Sequence, residues 1–273
     1  MQLQSAKQRF EKHGIKVAAI SYDSPAILKD FAERHKIEFP LVADPESKII
    51  SSFGVFNSQA TGMTKGMAHP GFYFIDAAGV IREKYFETNY TDRFTANNVI
   101  GKLFPELTEE VRRDVDAPHL KLTLEQSDAT ATLGSRVTLT AEVELPAGVH
   151  VYAPGVTGYK PIQLMLQPTA EVEAAPAVFP KPISLFLPAI KETVPVFEGK
   201  FRISQDVTVN IPKGPNGAPA LPTSEKTLSI AGELKYQACD ATVCYPPTSV
   251  PVKWDLRLQP LDLQRSPEDI RHK

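Results

Sequence analysis

Two hydrophobic rhythms divide this chain, and they change over near residue 118. Before that point, helical spacing alternates with short continuous apolar runs. Gln2–His13 (QLQSAKQRFEKH) reads as a helix, with Gly14 as its C-cap. Lys16–Tyr22 (KVAAISY) is an apolar run of strand length, the pattern of a buried parallel strand. Ser24-Pro25 starts a helix, with Ser as N-cap and Pro at the first helical position. That helix extends to about His35, with Ile27, Leu28 and Phe31 on one face. Phe39–Val42 is short and extended, and Pro45–Phe53 is a second short helix stopped by Gly54. Phe72–Ile75 is another buried strand, turned by Asp76-Ala77-Ala78-Gly79 into an antiparallel partner, Val80–Phe86. Thr91–Phe104 is the last helix, with Phe94, Val99, Ile100 and Leu103 inward. The order is α-β-α-(β)-α-β-β-α.

Residues 105–118 are charged and end in Pro118, which predicts a short helical or irregular linker. Period-two alternation follows. Leu120–Gln126 and Arg136–Glu144 show it plainly, and His150–Ala153, Ile162–Leu166, Phe201–Val209, Lys226–Lys235 and Val250–Leu258 are further strand candidates. Gly and Pro punctuate the gaps, as at Leu145-Pro146-Ala147-Gly148. Short strands with such turns predict a β-sandwich. Leu261–Lys273 is polar and charged and reads as a frayed tail. Two domains are therefore expected, residues 1–115 and 119–260, with a tail at 261–273; a chain of 273 residues has room for both.

Composition narrows the function. A net charge of −2 supplies no basic footprint for nucleic acid. No apolar run approaches the roughly 18 residues of a membrane-spanning helix. The first residues are polar and charged, so they provide no apolar core for a signal peptide. Most of the 24 prolines fall after Glu106, which favours loops and strand edges there.

The chemistry concentrates in Tyr236-Gln237-Ala238-Cys239-Asp240-Ala241-Thr242-Val243-Cys244-Tyr245-Pro246-Pro247, which holds both cysteines of the chain. The Cys-x4-Cys spacing in a turn can bring two Cα atoms within the roughly 4.4–6.8 Å of a disulfide. Closing so short a loop gains little entropy, so a bridge here is a weak staple, and that argues for a pair that opens and closes. Asp240 opposes thiolate formation, and Tyr236 and Tyr245 flank the pair. A plain structural bridge and metal binding remain as alternatives. Zinc is disfavoured, because two thiolates need further ligands and the six histidines are scattered. No metal and no cofactor are expected.

The segment Tyr-Gln-Ala-Cys-Asp…Cys-Tyr-Pro-Pro resembles the active-site segment of the N-terminal periplasmic domain of DsbD-type thiol:disulfide interchange proteins. Gly148-Val149-His150-Val151-Tyr152-Ala153-Pro154 and Gly158-Tyr159-Lys160-Pro161 are similar to the same domain. The resemblance implies an immunoglobulin-like sandwich in which Cys239 and Cys244 cycle between disulfide and dithiol. Cys244 is then the sulfur that bonds a thioredoxin-like partner, in cis or in trans. It further implies a cap loop over the cysteines, placed at Ile183–Leu187 with Phe186 as the lid, Tyr152 and Tyr159 lining the site, and a location outside the cytoplasm. Known members have one more residue between the cysteines, so loop geometry does not carry over. A non-catalytic extracytoplasmic scaffold with a structural bridge is the competing function.

The first region has its own likeness. Ala43-Asp44-Pro45-Glu46-Ser47-Lys48 with Phe53-Gly54-Val55, and Pro70-Gly71-Phe72-Tyr73-Phe74-Ile75-Asp76, resemble peroxiredoxins of the AhpC/TSA redoxin family, an α/β thioredoxin-like fold. The resemblance implies a cis-proline at Pro70 beside a reactive cysteine, with His69 preceding it. It also implies a nucleophilic cysteine before the helix Gln2–His13 and a central strand leading to it. This chain has neither, and no cysteine precedes Cys239. The region is thus an incomplete thioredoxin-like domain, inactive as written. The expectation is a start upstream of Met1, with a domain turned scaffold as the alternative. The strands at 16–22 and 72–75 should then close on each other or leave a groove between them.

Overall fold

The computed structural model describes residues 2–104, 111–187, 191–214 and 220–271. The chain forms two compact units, residues 1–108 with 262–273, and residues 109–261.

In the first unit, α1 (Gln2–Lys12) ends where Gly14 takes a left-handed φ of 75°. β1 (Ala19–Ser21) leads into α2 (Pro25–His35), whose N-cap is Ser24; its hydroxyl accepts from the Ile27 amide at 3.4 Å. β2 (Leu41–Ala43) pairs in parallel with β1, Ala19 opposite Leu41. The buried Asp44 carboxylate then accepts from the amides of Lys48 and Ile50, at 2.9 and 2.8 Å, and so fixes the start of α3 (Lys48–Ser52). β3 (Gly71–Ile75) and β4 (Ile81–Phe86) form an antiparallel hairpin. Its turn is set by Asp76, whose Oδ1 accepts from Ala78 and Val80, and by Gly79 at φ 80°. β5 (Arg93–Phe94) precedes α4 (Ala96–Leu103). The unit's helix–helix core sets Ala6 and Phe10 of α1 against Ala96 and Ile100 of α4, each pair spaced i, i+4 on one helix face.

Several expectations for this unit change. The helix expected over Thr91–Phe104 begins only at Ala96, because the Thr95 hydroxyl accepts from the Asn98 amide and caps it there. Of Ile27, Leu28 and Phe31, expected on one face of α2, Leu28 is buried and Phe31 is 37% exposed. The peptide bond before Pro70 is trans, so the cis-proline expected there is not found. Trans is the intrinsically favoured state of an X–Pro bond, and the Pro70 carbonyl accepts from the Glu87 amide at the end of the β3–β4 ladder. The strands expected to be buried are half covered: Ile20 on β1 and Ile75 on β3 are 42% and 44% exposed. Among the described residues β1–β2 and β3–β4 are separate two-stranded sheets, and no ladder joins β1 to β3. No strand comes from residues 2–12, which are α1. Residues 262–273 belong to this unit, and Asp262 lies 3.0 Å from His35 Nε2, which is more order than a frayed tail implies.

The second unit is almost all strand. Its elements are β6 (Val111–Val115), β7 (Lys121–Gln126), β8 (Thr130–Ala131), β9 (Ser135–Glu144), β10 (His150–Tyr152), β11 (Gln163–Leu166), β12 (Val172–Ala174), β13 (Ile183–Leu187), β14 (Glu192–Glu198), β15 (Lys200–Val209), β16 (Lys226–Tyr236), β17 (Ala238–Cys239) and β18 (Thr248–Leu258). One sheet runs β12-β15-β9-β7-β6 and a second β11-β16-β18-β8; a third, β13-β14-β10-β17, carries the cysteines' end of the unit. Alternation does the packing. On β18, Val250, Val252, Trp254, Leu256 and Leu258 are buried while the residues between them are exposed. They meet Leu122 and Leu124 of β7, Val137, Leu139, Ala141 and Val143 of β9, and Ile203 of β15 in one core. Trp254 closes it, its indole N–H donating to the Glu125 carbonyl at 2.9 Å.

The linker expected at 105–118 is in part a strand. β6 pairs antiparallel with β7, Val115 opposite Leu122, and Val111 and Val115 bracket the polar residues between them. Residues 105–110 lie outside the described residues. The cap loop expected at Ile183–Leu187 is likewise a strand, β13, paired with β14 from Ile183↔Val196 to Leu187↔Glu192.

Candidate functional site

The long β16–β18 ladder runs from Lys226↔Leu258 to Tyr236↔Thr248 and delivers residues 237–247 as a loop at its end. Within that loop the chain doubles back. Tyr245 N–H donates to the Ala238 carbonyl and Asp240 N–H to the Val243 carbonyl, both at 2.9 Å, which puts Cys239 opposite Cys244. Their Cα atoms are 4.0 Å apart and their sulfurs are bonded. Gln237 secures the return strand by donating to the Tyr245 carbonyl at 2.9 Å.

Asp240 organises the turn between the sulfurs. Its Oδ1 accepts from the Thr242 amide at 2.7 Å, the Thr242 hydroxyl at 2.8 Å and the Val243 amide at 2.8 Å. Its Oδ2 accepts from the Tyr245 hydroxyl at 2.9 Å. The Thr242 amide and hydroxyl, then Val243 and Tyr245, hold the carboxyl far below the ordinary aspartate range. Asp240 is therefore a fixed negative charge beside the pair. Tyr245 also stacks on His119, ring centroids 3.8 Å apart.

The two sulfurs sit in unlike surroundings. Cys239, on β17, is 1% exposed and packs with Tyr152, Val194 and Val196. Cys244, on the loop, is exposed. β17 pairs with β10, which sets His150 opposite Cys239 and Val151 opposite Ala238. Side chains two apart on a strand share a face, so Tyr152 follows His150 toward the disulfide. Its hydroxyl lies 3.8 Å from Cys244 Sγ and 3.9 Å from Cys239 Sγ. Bonded sulfurs carry no proton, so the phenol is the donor. Burial first, then the charge of Glu192, pushes the Tyr152 pKa up and keeps that proton in place. Tyr159 stacks on Tyr152 with centroids 4.4 Å apart and donates to Glu192 at 2.5 Å, and that bond drives its pKa up to about 12.

Of the residues singled out in the sequence, Cys239, Cys244, Asp240, Tyr245, Tyr152 and Tyr159 come together. Tyr236 does not join them directly. It is buried in the main core, its hydroxyl donating to the Pro118 carbonyl at 2.6 Å, and burial then Asp116 push its pKa to about 12. Phe186 is 56% exposed; its neighbours Leu185 and Leu187, on the alternate face of β13, are the ones packed against the Cys239 cluster. Pro70 lies in the other unit. Sequence reasoning missed His150, which is 3% exposed with its ring edge-on to Tyr152 at 5.5 Å. The His-Val-Tyr alternation put it on the same strand face as Tyr152, but only the β10–β17 pairing sets it directly across from Cys239.

Among the described residues no group of three or more metal-ligating side chains occurs, and no helix there is long and apolar enough to cross a membrane.

Residues 121–254 match the family model of the N-terminal domain of thiol:disulfide interchange protein DsbD, and residues 1–84 match that of the AhpC/TSA family. Peroxiredoxin Bcp of Escherichia coli (strain K12) is 31% identical over 84 residues, covering 30% of this chain and 54% of its own length. The chain thus spans about half the length of the curated relatives it matches. Among solved structures, the Neisseria meningitidis DsbD N-terminal domain in the reduced form aligns at 14% identity and a TM-score of 0.31, covering 52% of this chain and 86% of that one. The N-terminal periplasmic domain of ScsB from Proteus mirabilis aligns at 14% identity and a TM-score of 0.33, covering 56% and 50%. By its family matches, the chain joins a thioredoxin-like AhpC/TSA region to a mostly-β domain of the DsbD N-terminal type.

Proposed function

We propose that this chain is a thiol–disulfide redox protein that exchanges electrons through Cys239 and Cys244 with a thioredoxin-like partner. The observation that carries the reading is the asymmetry of the bridge: one sulfur exposed on a loop, the other buried on a strand. A partner thiolate attacks Cys244 Sγ in line with the bridge. The Cys239–Cys244 bond breaks, its electron pair leaves on Cys239, and the Tyr152 hydroxyl is poised to donate to the new thiolate. The product is a Cys244–partner mixed disulfide. Reduction completes when the partner's second thiolate attacks its own bonded sulfur and releases Cys244; in the opposite direction Cys239 attacks Cys244 and releases the partner.

Asp240 and the burial of Cys239 both disfavour a thiolate on the opened pair. That suits a pair that reacts when a partner supplies the attacking thiolate. Residues 1–238 contain no cysteine, so the partner's sulfurs come from outside that region. An oxidising compartment outside the cytoplasm fits a bridge of this kind.

The test is equilibration of the pair with glutathione buffers. The reading expects a reduction potential above about −300 mV, in the range of exchangeable pairs. A potential well below that value identifies a structural bridge and a scaffold function instead.

A further inference from the structure

The exchange just described leaves His150 without a task. Its imidazole is 3% exposed, and its Nε2 has no hydrogen-bond partner among the described residues. A buried ring nitrogen left unpaired is costly and calls for a reason. The strand register supplies one. His150 lies directly across from Cys239 on β17 and from Glu198 on β14, and it shares its strand face with Tyr152, which reaches both sulfurs. In the bridged state Cys239 Sγ is turned to Cys244 and carries no proton to offer. Opening the bridge creates an S–H on the residue directly across the strand pair from His150.

We propose that His150 is the proton-exchanging residue for Cys239, its Nε2 taking up the Cys239 thiol as partner when the disulfide opens. This rests on the reading of the pair as redox-active. In the oxidising direction, Cys239 Sγ–H passes its proton to the imidazole and the sulfur's electron pair forms the bond to Cys244. The Cys244–partner bond breaks, and the partner leaves as a thiolate that takes up a proton from the imidazolium through solvent. Two electrons move from the pair to the partner, and the proton count is unchanged. In the reducing direction the same path runs backwards: the partner's attacking thiol loses its proton through solvent to the neutral imidazole, and the imidazolium so formed gives it to the departing Cys239 sulfur.

The charged and titratable groups that face His150 are Glu198 on β14, Cys239 on β17, Asp240 in the turn that follows it, and Tyr152 on its own strand. Burial lowers the imidazole pKa, and Glu198 and Asp240 oppose that in part. The ring is therefore neutral near pH 7, with a lone pair free to accept a proton.

The test uses the intact chain with 15N-labelled histidine, its His150 signals assigned by through-bond experiments, first oxidised and then reduced with dithiothreitol. The expected result is a shift of the His150 Nε2 resonance and of its titration midpoint on reduction. In parallel, reoxidation of the dithiol by oxidised glutathione is followed from about pH 5 to 9. The wild type should show an inflection at or below about pH 6.5, and His150→Gln should lose it together with at least about tenfold in rate. A His150 signal that ignores redox state overturns the proposal, as does a His150→Gln profile that overlays the wild type. The resonance comparison needs no variant and stands even if His150→Gln does not fold. A wild-type pair that fails to exchange with glutathione at all brings down the redox reading itself, a different and recognisable outcome.

Discussion

Replacing Tyr152 with Phe removes one oxygen and little else. The ring keeps its stack on Tyr159 and its edge contact with His150, and the site stays buried. In the bridged state the lost interaction is a long O–H···S contact of 3.8 and 3.9 Å, so the oxidised fold changes little. The transition state for opening the bridge is different, because negative charge builds on Cys239 in an apolar cluster of Val194, Val196 and Tyr152. A hydrogen bond to a charged group is worth about 1.5–3 kcal/mol. At about 1.4 kcal/mol per tenfold, Tyr152→Phe should slow reduction roughly 10- to 150-fold. The assay is stopped-flow reduction by dithiothreitol at constant pH, with circular dichroism and melting to verify the fold. A rate within twofold of wild type in a correctly folded variant refutes the argument that this phenol stabilises the leaving sulfur.

Other consequences follow from the same contacts. Asp240 has a folded-state pKa held below its unfolded value near 3.9. The stability it contributes is present above that value and lost as pH falls through the folded one. Thermal melts between about pH 5 and 2 should therefore show Asp240→Asn losing less stability over this window than wild type; parallel curves would contradict it. Tyr236→Phe leaves the Pro118 carbonyl without its 2.6 Å donor and should cost about 1–3 kcal/mol by urea denaturation, with reduction kinetics unchanged. Ile100→Ala empties the α1–α4 core, where Ile100 is 2% exposed, and should destabilise the first unit by about 2–5 kcal/mol while leaving the chemistry of the cysteine pair intact.

What could be read from the sequence is what is local. Ser24-Pro25 caps and starts α2 because both residues act within one turn. The alternation of β9, β15, β16 and β18 survives in their burial because period two is a property of each strand by itself. The doubling back of residues 238–245 also closes locally, on Asp240. What escaped depends on pairing across long separations. His150 became a site residue through the β10–β17 register, and Leu185 and Leu187, rather than Phe186, met the cysteine cluster once 183–187 paired with β14. The apolar runs of β1 and β3 predicted deep burial, but hydrophobicity reports a preference for cover and not whether a neighbouring strand provides it.

In the proposed exchange Cys244 meets a partner sulfur while Cys239 is the buried leaving and resolving thiol. Trapping tests it most directly. Cys239→Ser and Cys244→Ser chains are each mixed with a thioredoxin-like protein whose resolving cysteine is changed to serine and whose remaining thiol is activated as a mixed disulfide with thionitrobenzoate. The covalent product is then read by non-reducing electrophoresis and mass spectrometry. A stable Cys244-linked complex is expected with Cys239→Ser, and little or none with Cys244→Ser. Equal trapping by both variants, or by neither, would contradict it.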